Sequence, residues 1–237
     1  MSSAAEVLLE VNGLQAWYGE SHILHGMDFS VGRGELVTLL GRNGAGRTTA
    51  LRAILGLTDR RIGTVRVRGR EVTGLSTHRI ARLGIGYCPE ERGVFASLSA
   101  EENLLLPPRI RDGGMSVEEI YAMFPNLYQR RKSQGTRLSG GEQQMLALAR
   151  ILRTGADILL LDEITEGLAP VLVKTLGQAV RALKQKGYTI VMVEQNFRFA
   201  APLADRHYVV ERGRVVETVR KDELESRLDL LHQYLGV

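Results

Sequence analysis

The chain has 237 residues, of which 44% are hydrophobic and 24% are charged. These proportions are typical of a folded globular protein and exclude a disordered or fibrous chain, and the length suits one domain with an insertion. No apolar run approaches the ~20 residues of a membrane-spanning helix, and the first residues lack the basic and apolar regions of a secretory signal. We therefore expect a cytoplasmic protein.

The net charge of +4 does not by itself indicate nucleic-acid binding. The basic residues are mixed with acidic ones and accompany no nucleic-acid recognition motif, so we expect no nucleic-acid partner. Arg66, Arg68 and Arg70 alternate as the solvent face of a single strand would. Cys88 is the only cysteine, which excludes an intrachain disulfide and a cysteine-based zinc site.

Short apolar runs separated by turn residues extend from Leu8 to Leu40. They predict β-strands, the last of them a buried strand over Glu35–Leu40. Apolar residues at helical spacing predict a helix over Thr48–Leu57, and Gly63–Val72 alternates as part of an antiparallel hairpin does. We therefore expect the first third of the chain to be β-rich around one helix.

Residues 95–137 are charged and helix-forming, and are interrupted by Pro107-Pro108 and Gly113-Gly114. This composition predicts a small helical subdomain. We expect it to be inserted into a core of residues 1–94 and 138–237, the whole chain forming one domain over 1–237.

Helix-forming and strand-forming sequence alternates after the insertion. The predicted elements are a helix from Gly141, a strand over Ile158–Leu161, a helix over Val171–Lys186, a strand over Thr189–Val193, a hairpin over Tyr208–Val219 and an amphipathic helix that ends at Leu235. Alternating strands and helices predict parallel βαβ crossovers. The fold class is therefore α/β, with an N-terminal antiparallel β-subdomain and an inserted α-helical subdomain.

A glycine-rich segment joins the first buried strand to the following helix. It reads Gly41-Arg42-Asn43-Gly44-Ala45-Gly46-Arg47-Thr48 and is followed by Thr49. Glycines let backbone N–H groups converge on a phosphate, and a helix N-terminus adds partial positive charge. In this context the segment predicts a nucleotide-binding P-loop, with the Thr48 hydroxyl available to Mg²⁺. The alternative is a glycine-rich turn that binds no ligand.

Arg47 stands where a P-loop has the lysine that reaches the β- and γ-phosphates. Arginine keeps the positive charge, but its planar, forked head is larger than the compact ammonium group of lysine. We therefore expect nucleotide binding to survive this replacement better than catalysis does.

Two adjacent acids, Asp162 and Glu163, end the apolar run Ile158–Leu161. Unpaired charge is costly at the end of a buried strand, so a cation or a polarised water is implied. Asp162 suits Mg²⁺ coordination and Glu163 suits activation of the attacking water as a general base. The alternative is the exposed start of a loop, which the upstream P-loop makes the weaker interpretation.

The most specific segment is Leu138-Ser139-Gly140-Gly141-Glu142-Gln143-Gln144. Ser139 and Glu142 form a capping box, and the same helix N-terminus, with its glycines and serine hydroxyl, can also donate to a phosphate. Residues 138–143 resemble the signature of ATP-binding cassette (ABC) ATPases. Together with the P-loop, the Asp-Glu strand and the helical insertion, the resemblance covers nearly the whole chain and implies a P-loop ABC ATPase core.

Within that superfamily the chain is most similar to the ATP-binding subunits of branched-chain amino acid importers and related amide or urea importers. The similar segments are residues 89–95 (PEERGVF), 166–170 (EGLAP) and 193–196 (VEQN). The resemblance implies that Tyr18 stacks on adenine and that Glu90 lies at the nucleotide-sensing loop, near the metal. It also implies that Gln195 contacts the γ-phosphate.

The same resemblance implies ATP and Mg²⁺ as ligands and a dimer with a second ABC ATPase subunit, identical or different. Each ATP would lie between the P-loop of one subunit and the signature of the other. The dimer would sit on transmembrane permease subunits at the inner face of the membrane, served indirectly by an extracytoplasmic solute-binding protein. Two alternatives remain: a catalytically impaired ATP-binding partner subunit, because of Arg47, and a non-transport ABC ATPase.

Overall fold

The computed structural model describes residues 6–236. Its strands are β1 (Val7–Tyr18), β2 (Ser21–Gly32), β3 (Leu36–Leu40), β4 (Arg60–Val67), β5 (Arg70–Glu71), β6 (Ile85–Cys88), β7 (Ile158–Asp162), β8 (Thr189–Val193), β9 (Arg206–Glu211) and β10 (Arg214–Arg220). Its α-helices are α1 (Arg47–Leu55), α2 (Thr77–Ala81), α3 (Ala100–Leu105), α4 (Val117–Met123), α5 (Pro125–Gln129), α6 (Gly140–Arg153), α7 (Pro170–Gln185), α8 (Phe197–Ala200) and α9 (Leu228–Leu235).

The strands form two sheets. The first is antiparallel, with the order β2-β1-β4-β5, and the second has the order β10-β9-β3-β8-β7-β6. In the second sheet only the β9–β10 pair is antiparallel, and the other neighbours are parallel. Parallel neighbours need crossover connections, which is why helices alternate with these strands.

The central strands of the larger sheet are buried on both faces. Along β3, Leu36 and Leu40 pack into the cluster formed with the helices, whereas Val37 and Leu39 pack toward the antiparallel sheet. Successive side chains of a strand point to opposite faces, so this fully buried strand serves two cores at once. The strand predicted over Glu35–Leu40 is confirmed, one residue shorter.

The functional segments of the chain meet at one edge of this sheet. The glycine-rich loop follows β3, Glu163 follows β7, and Glu194 with Gln195 follows β8, which lies between the other two. In open parallel sheets, ligands bind beyond the carboxyl ends of the strands. The topology therefore brings three segments together that lie far apart in the sequence.

Short helices fill the region between β6 and α6, as the sequence predicted. Helices α3 and α4 both begin at serine-glutamate capping boxes, Ser99 with Glu102 and Ser116 with Glu119. The architecture confirms the α/β class with an antiparallel β-subdomain and inserted helices, while the boundaries of the helical subdomain stay a prediction. Within residues 6–236, no helix combines the length and the apolar character required to cross a membrane.

One sequence expectation is wrong. Arg66, Arg68 and Arg70 do not share one strand, because Arg68 lies in the turn between β4 and β5 with φ of 53°. Its guanidinium instead reaches Asp157, with one nitrogen 2.5 and 2.6 Å from the two carboxylate oxygens. Arg111 contacts the same carboxylate at 2.8 Å. Asp157 thereby ties the β-subdomain and the helical insertion to the start of β7.

Candidate nucleotide site

The loop between β3 and α1 has the backbone geometry of a phosphate cradle. Gly46 has φ of 102°, and a Cβ atom there would lie 2.9 Å from Leu24 Cδ2, so a side chain would crowd the loop. Helix α1 begins at Arg47 without a side-chain cap. The N–H groups of its first turn therefore have no partner within the helix and can donate to an anion.

A pocket of about 430 Å³ opens beside this loop. It is lined by Tyr18, Ile23, Asn43, Gly44, Ala45, Gly46, Arg47, Thr48, Thr49, Glu90, Glu163, Glu166 and Gln195. Most of the candidate nucleotide-binding residues from the sequence are among them. Gly41 and Arg42 are not, and Arg42 instead lines a neighbouring cavity beside α9.

Asp162 is fully buried at the end of β7, and its carboxylate accepts two hydrogen bonds from neutral hydroxyls. Thr48 donates to one oxygen at 2.9 Å and Tyr87 donates to the other at 2.9 Å. Burial raises the pKa of Asp162, and these two hydrogen bonds oppose the shift. A buried carboxylate next to a hydroxyl oxygen is a donor set that suits Mg²⁺, so these residues fit the metal predicted from the sequence.

Glu90, the third predicted metal-binding residue, lines the same pocket as Thr48. Its carboxylate groups with those of Glu163 and Glu166, with one oxygen of each within 4.8 Å of the others. Burial, followed by repulsion from Glu166, raises the pKa of Glu90. Glu90 therefore lies at the wall of the same pocket as Thr48, in a group of acids that could itself hold a metal ion.

Glu163 is the candidate general base, and both of its carboxylate oxygens are engaged. Oε1 accepts from Arg47 Nη2 at 2.8 Å, and Oε2 accepts from Gln195 Nε2 at 3.2 Å. Burial raises the pKa of Glu163 to about 7, with a further rise from Glu166 and an opposing effect from Arg47. A base with a pKa near neutrality can take a proton from water at physiological pH.

The Arg47 side chain is turned toward protein partners rather than left free in the pocket. Only 4% of the residue is exposed. Besides Glu163, its guanidinium donates to the backbone oxygen of Glu194 at 3.0 Å and to Asn43 Oδ1 at 3.3 Å. Gln195 also donates to Asn43 Oδ1. The candidate catalytic residues thus form one hydrogen-bonded group around Arg47.

Tyr18 lies at the end of β1 and, together with Ile23 of β2, lines the pocket beside the loop. An aromatic ring and an aliphatic side chain at the mouth of a phosphate cradle suit the flat face of a nucleobase. The structure thus brings the predicted adenine-stacking residue to the same pocket as the loop.

None of the six signature residues, Leu138 to Gln143, lines this pocket in the described part of the chain. Ser139 and Glu142 instead complete a capping box at the start of α6, with Ser139 N donating to Glu142 Oε2 at 2.7 Å. Gly141 packs against Leu172 of α7, which leaves no room for a side chain. The signature is therefore separate from the pocket in this chain.

Several residues of the site carried no role in the sequence interpretation. Tyr87 gave no signal, because nothing in a four-residue strand indicates that a hydroxyl will reach Asp162. Glu166 and Glu194 lie in segments that resemble the importer group, but only the folded structure shows that their carboxylates lie near Arg47. Glu194 is 2% exposed and accepts from Thr165 at 2.9 and 3.1 Å. Burial raises its pKa to about 7.

A family model described as ABC transporter matches residues 24–166. The branched-chain amino acid transport ATP-binding protein BraG of Pseudomonas aeruginosa is 38% identical over 97% of this chain and 100% of its own. The probable branched-chain amino acid transport ATP-binding protein LivF of Archaeoglobus fulgidus is 36% identical over 92% of this chain and 94% of its own. The lipopolysaccharide export ATP-binding protein LptB of Escherichia coli is 30% identical over 96% and 97%.

Solved structures agree with this assignment. The structure of an ATP-binding subunit of an ABC transporter superposes with a TM-score of 0.80 at 27% identity, and the match covers 97% of this chain and 100% of that one. In this chain the glycine-rich loop and Glu163 line one pocket, and the signature lies at the start of α6. The chain therefore belongs to the ABC transporter family, as an ATPase of that family and an ATP-binding subunit of a transporter.

Proposed function

We propose that this subunit hydrolyses ATP to power solute import through a separate membrane permease, and that the solutes are branched-chain amino acids or related small amides. The observation that carries the proposal is the assembly in one pocket of the P-loop, Thr48 beside Asp162, and Glu163 beside Gln195. The likeness to BraG over the full chain supports the solute class.

In this proposal Tyr18 stacks on adenine, and the N–H groups of residues 44–49 hold the phosphates. Thr48 and Asp162 would hold Mg²⁺, which would supply positive charge to offset that of the phosphates. Glu163 accepts the proton of the attacking water, and Gln195 donates toward the γ-phosphate. Each role uses an atom that already lies at the pocket or directly beneath it.

Ser139 and its neighbours serve the ATP bound to a second ABC ATPase subunit, identical to this chain or different from it. The signature residues do not line the P-loop pocket of their own copy, which supports this arrangement. The dimer would be peripheral on the cytoplasmic side of the membrane, beneath the permease subunits. A separate solute-binding protein would deliver the solute to these subunits.

The test is reconstitution of this chain with its co-purified permease subunits in proteoliposomes, together with the solute-binding protein. We expect branched-chain amino acid uptake that requires MgATP and that Glu163→Gln abolishes. Wild-type complexes that hydrolyse ATP but move none of these amino acids would refute the solute class. ATP-dependent release of lipopolysaccharide instead would point to the activity named for LptB.

A second candidate is favoured by Arg47: the subunit would contribute a weakened ATPase site and an intact signature, as one member of an unequal pair. The buried position of Arg47 and its ion pair with Glu163 support a weakened site, because the guanidinium is already engaged by the candidate base. The measurement is ATP turnover by the wild type and by Arg47→Lys, where we expect at least a tenfold gain on substitution. Equal, robust turnover in both proteins would refute this candidate.

A further inference from the structure

The guanidinium of Arg47 lies near four acidic side chains. Its pKa is lowered by burial, and Glu163, Asp162, Glu194 and Glu166 all oppose that shift. Arginine stays protonated in proteins, so the buried cation needs these partners. The shortest contact is the 2.8 Å ion pair with Glu163, whose side chain is itself only 10% exposed.

The shape of arginine accounts for the arrangement. The planar head directs Nη1 to the Glu194 carbonyl and Nη2 to both Glu163 and Asn43. A lysine ammonium presents its donors from a single atom and cannot span the same three acceptors in this fork geometry. The hydrogen-bonded group around Glu163 is therefore specific to the residue found at position 47.

The same ion pair restrains the candidate base. One oxygen of Glu163 is held by Arg47 and the other by Gln195. A carboxylate whose oxygens are engaged by donors has less capacity to accept a proton from water. A triphosphate bound at the P-loop, in contrast, brings several negative charges to the loop that carries Arg47, and guanidinium groups bind phosphate as readily as carboxylate.

We propose that Glu163 and the terminal phosphate of ATP compete for the guanidinium of Arg47, so that this ion pair holds the base until bound nucleotide releases it. This Arg47–Glu163 latch rests on the proposed binding of ATP at this P-loop. It makes Arg47 a positioning residue for the base, in addition to a contact for the nucleotide.

The test is a cycle of MgATP affinities measured by titration calorimetry on the purified chain: wild type, Glu163→Gln, Arg47→Lys and the double variant. Glu163→Gln keeps the side-chain shape but removes the ion pair, so we expect about tenfold tighter ATP binding. In the Arg47→Lys background the same substitution should change affinity by less than about threefold, because lysine cannot form the forked contact.

Glu166→Gln is the matched control, since it removes a negative charge from the same pocket but leaves the direct hydrogen bonds of Arg47 to Glu163, Asn43 and Glu194 in place. We expect it to change affinity by less than about threefold, the effect of a partly screened charge. The latch is refuted if both glutamine variants tighten binding equally, or if the effect of Glu163→Gln is the same with arginine or lysine at position 47. If neither the wild type nor any variant binds MgATP, the proposed nucleotide site itself fails.

Discussion

Arg61 anchors the far end of the helix that carries the P-loop residues. Its guanidinium donates to five backbone carbonyls, those of Ala53, Ile54, Val72, Thr73 and Leu75. The first two belong to the last turn of α1, where the Ala53 carbonyl also accepts from Gly56 N–H at 3.1 Å. One side chain therefore caps α1 and joins it to the segment after β5.

Replacing Arg61 by Met keeps most of the aliphatic stem and removes all five hydrogen bonds. Each such bond contributes about 0.5–1.5 kcal/mol net, which gives roughly 2.5–7.5 kcal/mol in total. The side chain is half-buried and water can reach some carbonyls, so we expect a loss near the lower end, about 3 kcal/mol. Urea denaturation followed by circular dichroism measures this change in the free energy of unfolding.

Arg60→Met is the matched control, because Arg60 is the adjacent exposed arginine and lies over the Trp17 ring at 4.6 Å. An exposed cation–π contact contributes about 0.5–1 kcal/mol, so this variant should lose no more than that. Equal losses in the two variants would show that the carbonyl contacts of Arg61 do not anchor α1.

Three further predictions concern pH, the loop and the metal. Burial lowers the pKa of His207 to about 4. Histidine in the unfolded chain has a pKa near 6.5, so between pH ~6.5 and 4 the unfolded chain binds a proton that the folded chain does not. The free energy of unfolding therefore falls as the pH is lowered through this range. His207→Asn should reduce that fall, as measured by urea denaturation at several pH values. Gly46→Ala forces a side chain to φ of 102° and 2.9 Å from Leu24, and should cost about 2 kcal/mol in the same assay. Tyr87→Phe removes a donor to Asp162 and should raise the Mg²⁺ concentration for half-maximal ATP binding about threefold, measured by titration.

The parts of the fold that could be predicted from sequence are those encoded locally. The strands β3, β7 and β8 are predominantly apolar along their length, as strands buried on both faces are. The glycine-rich loop and the capping box of α6 are set by backbone conformation and by residues three positions apart. Such features need no knowledge of distant contacts.

The contacts of Arg47 could not be predicted in this way. Its partners Glu163 and Glu194 lie more than a hundred residues away and reach it only because β8 lies between β3 and β7. The wrong prediction for Arg68 has a related cause, because an alternating sequence pattern is the same whether the residues lie in one strand or cross a tight turn. Its left-handed backbone and its contact with Asp157 depend on the packed structure.

The most direct test of the two-surface nucleotide site compares MgATP affinity in Thr48→Ala and Ser139→Ala, measured by titration calorimetry on the dilute, monomeric chain. Thr48 lines the pocket and donates to Asp162, whereas Ser139 lies on the separate signature surface. We predict that Thr48→Ala weakens binding at least tenfold, while Ser139→Ala leaves the monomer's affinity unchanged and abolishes turnover only in the assembled complex. Loss of monomer affinity in Ser139→Ala, or wild-type affinity in Thr48→Ala, would contradict this account.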